Sequence, residues 1–192
     1  MIGFIFYNKK SKDNFTNINL PEGVTIQLPK DWTILANQQR VAIDSAVKGI
    51  EPDLHSDYHF AANYYGNTGK TEALVNIRYY PDQYITQTEV SSLTEDDIVE
   101  IDAELRGAME KAGRIAGYSV INWNGTKRTT INGVLALVTE YTRTPLNNGV
   151  FCVRIVRVLN KEKSYSLTVS YKLSEQALRQ ATDNIIASMM QL

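Results

Sequence analysis

The chain has 192 residues, 20 of them Lys or Arg and 21 Asp or Glu, with one cysteine, Cys152. That length supports one hydrophobic core without covalent staples, so a single folded unit is expected. The balanced charge lacks the broad positive field that phosphate backbones attract, which removes nucleic acid as an expected partner. One cysteine excludes an intrachain disulfide and a thiolate metal cluster built by one chain.

Residues 1–20 begin with a short apolar run, continue into Asn and Lys, and read as an N-terminal arm ahead of one domain over 21–192. The positive charge follows the apolar run and no small-residue cleavage site is visible, so it does not read as a secretory signal. No stretch reaches the roughly 20 apolar residues that span a bilayer. As written the chain reads as cytoplasmic; a preceding signal or lipid anchor would place it in the envelope or periplasm.

In chain order, Val24, Ile26 and Leu28 alternate on one face of a strand, and Pro29 to Trp32 form a turn that brings Trp32 over the sheet. Residues 40–47, 58–65 and 71–80 are strand candidates, the last two joined by the Gly66-Asn-Thr-Gly69 turn as a hairpin. Residues 81–93 read as a polar connection. Thr94 then caps a helix with acidic residues in its first turn, and Ile98, Ile101, Leu105, Ala108, Met109, Ala112 and Ile115 recur at helical spacing until Gly117.

Four β-patterned runs follow, over 118–131, 134–144, 150–159 and 164–172. Asn132-Gly133, Asn148-Gly149 and residues 160–163 connect them as an antiparallel meander, and Tyr165, Leu167, Val169 and Tyr171 give the last run one apolar face. Ser174 is expected to cap a closing helix whose buried stripe is Leu178, Ala181, Ile185 and Met189. Strands and helices are grouped, not alternating, which predicts an α+β fold with an antiparallel sheet covered by helices.

The residues that carry chemistry are few. Gly66-Asn-Thr-Gly-Lys-Thr71 ends like a phosphate-binding loop, but it has two residues where four are needed between the glycines and leads into a strand, so it reads as a turn. Asp53, His55, Asp57 and His59 combine both histidines with two carboxylates, a ligand set suited to a borderline divalent ion. On an extended strand all four share one side, and the two histidines stand about 13 Å apart, so one ion reaches only adjacent members. A solvated loop entering a strand is the plainer reading of that segment. Cys152, inside a β run, reads as a packing thiol with no imidazole placed beside it. No serine elbow and no His-Glu-x-x-His is present, and no catalytic residue or cofactor is assigned. Tyr64, Tyr65, Tyr79, Tyr80 and Trp123 are candidate partner-binding aromatics, because adjacent tyrosines on a strand face opposite sides and one of each pair must be exposed or covered. Asn14-Phe-Thr16 and Asn124-Gly-Thr126 match the glycosylation sequon.

The run from Val24 to Trp32, the mid-chain helix, Asn132-Gly133 between two strands, the meander and a final helix reading Ala181 to Met190 together resemble the PsbP/DcrB-like superfamily. The resemblance covers residue 21 to the end. It implies an α/β/α sandwich around an antiparallel sheet and non-catalytic roles in assembly or binding. It also extends to bacterial cytoplasmic chaperones of secretion effectors, and it carries over no catalytic residue. The expected function is thus a non-enzymatic bacterial binding or assembly module engaging a protein partner. The alternatives are a metal-binding protein or metal-dependent enzyme centred on Asp53 to His59, and a secretion-effector chaperone. Homodimerisation through a sheet edge or helix face fits the pattern.

Overall fold

The computed structural model describes residues 14–20, 23–36, 57–80, 86–145, 148–160 and 163–191. Its strands are β1 (Phe15–Asn19), β2 (Val24–Pro29), β3 (Thr33–Ile34), β4 (Asp57–Tyr65), β5 (Thr71–Tyr80), β6 (Tyr118–Ile131), β7 (Val134–Pro145), β8 (Phe151–Asn160), β9 (Lys163–Lys172) and β10 (Met190–Gln191). Its helices are α1 (Gln87–Ser92), α2 (Glu95–Ala116) and α3 (Gln176–Ser188). A seven-stranded antiparallel sheet has the order β3-β4-β5-β9-β8-β7-β6, and a three-stranded sheet has the order β1-β2-β10.

The alternation in each strand decides which face is covered by what. Val75 and Ile77 of β5, Leu167 and Val169 of β9 and Val156 of β8 form one apolar face. It packs against Val24, Ile26 and Leu28 of β2, Leu178 and Ile185 of α3, and Met189 just after that helix. On the opposite face, Val90 of α1 sits on Leu137 and Leu159, and Met109 of α2 lies with Trp123 against Tyr141, Val153 and Ile155. The expected α+β arrangement, an antiparallel sheet between covering layers, is the one that forms. The other face of β9 carries Ser164, Ser166 and Ser170, all buried, which is why only one apolar face is readable in that strand.

Local chemistry explains the element ends. Thr94 caps α2 as expected: its hydroxyl accepts from Asp97 N–H at 3.2 Å while the Asp97 carboxylate accepts from Thr94 N–H at 2.7 Å. The Asp97 carboxylate accepts both that backbone N–H and, at 2.7 Å, the Thr94 hydroxyl, and the two bonds hold it below its ordinary pKa. Gly117 closes the helix in the left-handed region at φ 74°. Asn132 and Gly133 both have positive φ, 48° and 82°, the combination a tight two-residue hairpin turn requires.

Several expectations are corrected. Of the arm expected over 1–20, residues 15–19 form β1, which pairs with β2 from Phe15↔Pro29 to Asn19↔Thr25, so the folded unit includes them. Among residues 14–20 only Leu20 is buried, which is why this polar stretch reads as an arm. The connection expected over 81–93 contains α1, built on a Thr86–Glu89 capping box with Val90 as its buried residue. Six residues are too few for a helical period to be visible. Ser174 does not cap α3; its hydroxyl donates to Glu175 Oε1 at 3.3 Å, and Glu175 takes the cap position without its side chain bonding a helix N–H. Ile115 is 61% exposed, because the apolar stripe of α2 ends where Gly113 meets Tyr118. The strand expected over 40–47 lies outside the described residues.

Candidate functional site

Helix α3 crosses the apolar face of the large sheet and leaves a groove along its N-terminal half. One wall is the end of the β1–β2 pair, with Phe15, Pro29 and Trp32; the other is α3, with Ala177, Leu178, Gln180, Ala181 and Asn184; Tyr64 contributes from β4. The volume is about 400 Å³. The wall is shaped by the turn expected at Pro29 to Trp32: Trp32 N–H donates to Pro29 C=O at 3.1 Å, and the indole packs at 6.3 Å between centroids against Tyr64, tilted by 46°. Small residues at 177 and 181, one helical turn apart, keep the α3 wall shallow. Among the described residues, Lys30 and Asp31 are the charged ones of the lining.

A second, smaller groove of about 310 Å³ lies beyond the other side of α3, between Thr130 to Asn132 and Asp183, Ile186 and Ala187, with Arg154 in its lining. Arg154 bridges two elements there. Its Nε donates to Glu140 Oε2 at 2.7 Å, and its Nη1 donates to Asp183 Oδ1 of α3. Asn132, at the β6–β7 turn, donates to the carbonyls of Ala187 and Met189 at 3.0 and 2.7 Å. Side-chain bonds thus tie the helix to the sheet at this end, whereas the N-terminal half stands against the open groove.

The aromatics singled out in the sequence fall into different places. Tyr64 and Tyr79 pack against the core, Tyr79 at 5.3 Å from Tyr165, and Tyr64 also lines the groove. Tyr65 is 40% exposed and accepts from Asn63 Nδ2 at 3.4 Å, and Tyr80 is half-buried. Trp123 is engaged within the chain: its indole N–H donates to both Asp102 oxygens, at 3.0 and 2.9 Å, and its ring stacks on Tyr141 at 5.3 Å. Asp53 and His55 lie outside the described residues, and Asp57 and His59 lie in β4. The β4–β5 register shifts between Tyr58 and Phe60, a bulge that breaks the uniform alternation assumed for that segment. Among the described residues no three His, Cys, Asp or Glu gather to hold an ion.

No protein-family model and no curated protein matches this sequence. Solved structures do. The solution structure of cyanobacterial PsbP (CyanoP) from Synechocystis sp. PCC 6803 superimposes with a TM-score of 0.60 at 8% identity, covering 95% of each chain. The chain has the PsbP-like fold. LpqN of Mycobacterium tuberculosis, involved in cell envelope biogenesis, matches with a TM-score of 0.50 at 11% identity over 92% of this chain and 89% of its own. A protein from Bacteroides thetaiotaomicron VPI-5482 gives 0.51 at 9% identity over 93% of this chain and 49% of that one.

Within this PsbP-like fold two further titrations are perturbed, one by burial and one by hydrogen bonds and charge acting against it. The Cys152 thiol, 4% exposed, is pushed up by burial, which disfavours thiolate chemistry, and it lies in the core beside Tyr171. Burial by itself raises the Glu140 carboxyl, but hydrogen bonds from Arg154 and Asn124 and the charges of Arg154 and Lys127 more than offset it and hold it low. A carboxyl whose folded pKa lies below its unfolded one stabilises fully above the unfolded value and loses that contribution as pH falls through the folded one. Urea unfolding is therefore expected to show stability declining from about pH 5 towards pH 3 more steeply in the natural chain than in Glu140→Gln. Superimposable profiles would mean that the Arg154 bridge is not coupled to folding.

Proposed function

We propose that this domain is a non-catalytic binding module whose groove beside α3 receives an apolar segment of a protein partner. The observation that carries the reading is the groove itself: Phe15, Trp32, Tyr64 and Leu178 beside two alanines, rimmed by side-chain amides. Concave apolar walls with a few placed polar groups are the general form of a binding site. Its chemistry suits holding an apolar group better than moving protons, since among the described residues of its lining there is no histidine and no cysteine. LpqN's part in envelope biogenesis supports looking for the partner among envelope proteins.

Ala177→Trp provides the test. Ala177 is exposed on α3, so the larger ring fills the groove with a stability change expected within about 0.5 kcal/mol. In affinity capture from the source organism, followed by mass spectrometry, a partner retained by the natural chain is expected to be lost at least about tenfold on Ala177→Trp, equivalent to about 1.4 kcal/mol. A partner held equally by both would place recognition elsewhere on the domain.

A further inference from the structure

We infer that the groove is built for one aromatic side chain carrying a hydrogen-bonding group, a tyrosine or tryptophan of the partner segment; this rests on the reading of the groove as a partner site. Size comes first. About 400 Å³ is at the lower end of small-ligand sites and has room for an anchor residue.

The lining then selects among anchors. Trp32, 6% exposed, and half-buried Tyr64 already form a tilted ring pair at 6.3 Å, and a third ring extends it chiefly against Tyr64, with a preference of roughly 2- to 12-fold over an aliphatic group of similar area. The polar rim narrows the choice further. Gln180 Nε2 donates to Asn184 Oδ1 at 3.2 Å, which engages one half of each amide and leaves Gln180 Oε1 as an acceptor and one of Asn184's donors for an incoming group. A phenol hydroxyl both donates and accepts and can use the pair; an indole N–H can use the acceptor; leucine or phenylalanine can use neither.

The test is an NMR titration of the full-length ¹⁵N-labelled chain with N-acetyl-tyrosinamide, N-acetyl-phenylalaninamide and N-acetyl-leucinamide, reading the Trp32 indole and the Gln180 and Asn184 side-chain amides. Tyrosinamide is expected to shift these signals saturably and to bind about 3- to 10-fold tighter than leucinamide, with phenylalaninamide between them. In a Gln180→Leu/Asn184→Leu variant, whose fold is checked by circular dichroism, tyrosinamide is expected to fall to the phenylalaninamide level. The inference is overturned if leucinamide binds as tightly, if tyrosinamide leaves the groove signals unmoved, or if the tyrosine advantage survives the double variant. Each of these removes the aromatic anchor alone; the partner-binding reading falls separately, on the Ala177→Trp capture.

Discussion

Ile185→Ala is expected to lower the unfolding free energy by about 3 kcal/mol, within the roughly 2–5 kcal/mol range for truncating a fully buried aliphatic side chain. Ile185 is 0% exposed and belongs to the main core cluster with Val24, Ile26 and Leu28 of the small sheet and Val75, Leu167 and Val169 of the large one. Alanine removes the branched group at the point where helix and both sheets meet, and the interior around it belongs to three separate elements that cannot all close in on the gap. Urea denaturation of the two proteins measures the difference. A loss below about 1 kcal/mol would mean that α3 settles onto the sheet without strain, and that the helix wall of the groove is less firmly placed than its packing implies.

Gly113→Ala is expected to destabilise by about 2 kcal/mol, although alanine is ordinarily about 1 kcal/mol better than glycine within a helix. A Cβ at position 113 would stand 2.6 Å from the Tyr118 carbonyl oxygen and 3.0 Å from its ring. The nearest atom is backbone, one residue beyond the Gly117 cap, so relief requires the whole start of β6 to move away from α2. Gly107 is the internal control. It lies in the same helix, and a methyl group there would meet nothing within 4 Å, so Gly107→Ala is expected to stabilise by up to about 1 kcal/mol. Thermal or urea unfolding of the two variants should show opposite signs; equal effects would mean that the approach of β6 to α2 is not tight.

The contrast between these two glycines illustrates what the sequence makes legible. The period of α2, its Thr94 start and its Gly117 stop are local features, written within one stretch of chain and read correctly from it. The same holds for the β4–β5 hairpin, the three connections of the meander and the alternating faces of β2 and β9. The seat of Gly113 on Tyr118 is a tertiary contact, and nothing in the helical period marks it. β1 is hidden because a strand at the edge of a small sheet needs little apolar alternation, and α1 because its six residues give one buried position. The groove is legible only in fragments. The sequence points to Trp32 as a cover for the sheet and to Tyr64 as a candidate contact, but their meeting with α3 joins residues from about 14 to 184, a separation that no short-range pattern encodes.

The strand order has a consequence for assembly in time. β6 to β9 each pair with their neighbour in the chain, so their loops close cheaply, whereas β5 meets β9 only through pairs such as Val75↔Val169 and Ile77↔Leu167, about 90 residues apart. Closing a loop of that length costs about 2–3 kcal/mol more in chain entropy than closing a hairpin of a few residues. The C-terminal meander therefore has the entropic advantage, and the β4–β5 hairpin gains its apolar support only by docking onto it. Synthesis runs in the opposite direction. The segment through β5 leaves the ribosome with Val75 and Ile77 lacking their partner strand, and must wait until Leu167 and Val169 are made before its half of the sheet can be completed.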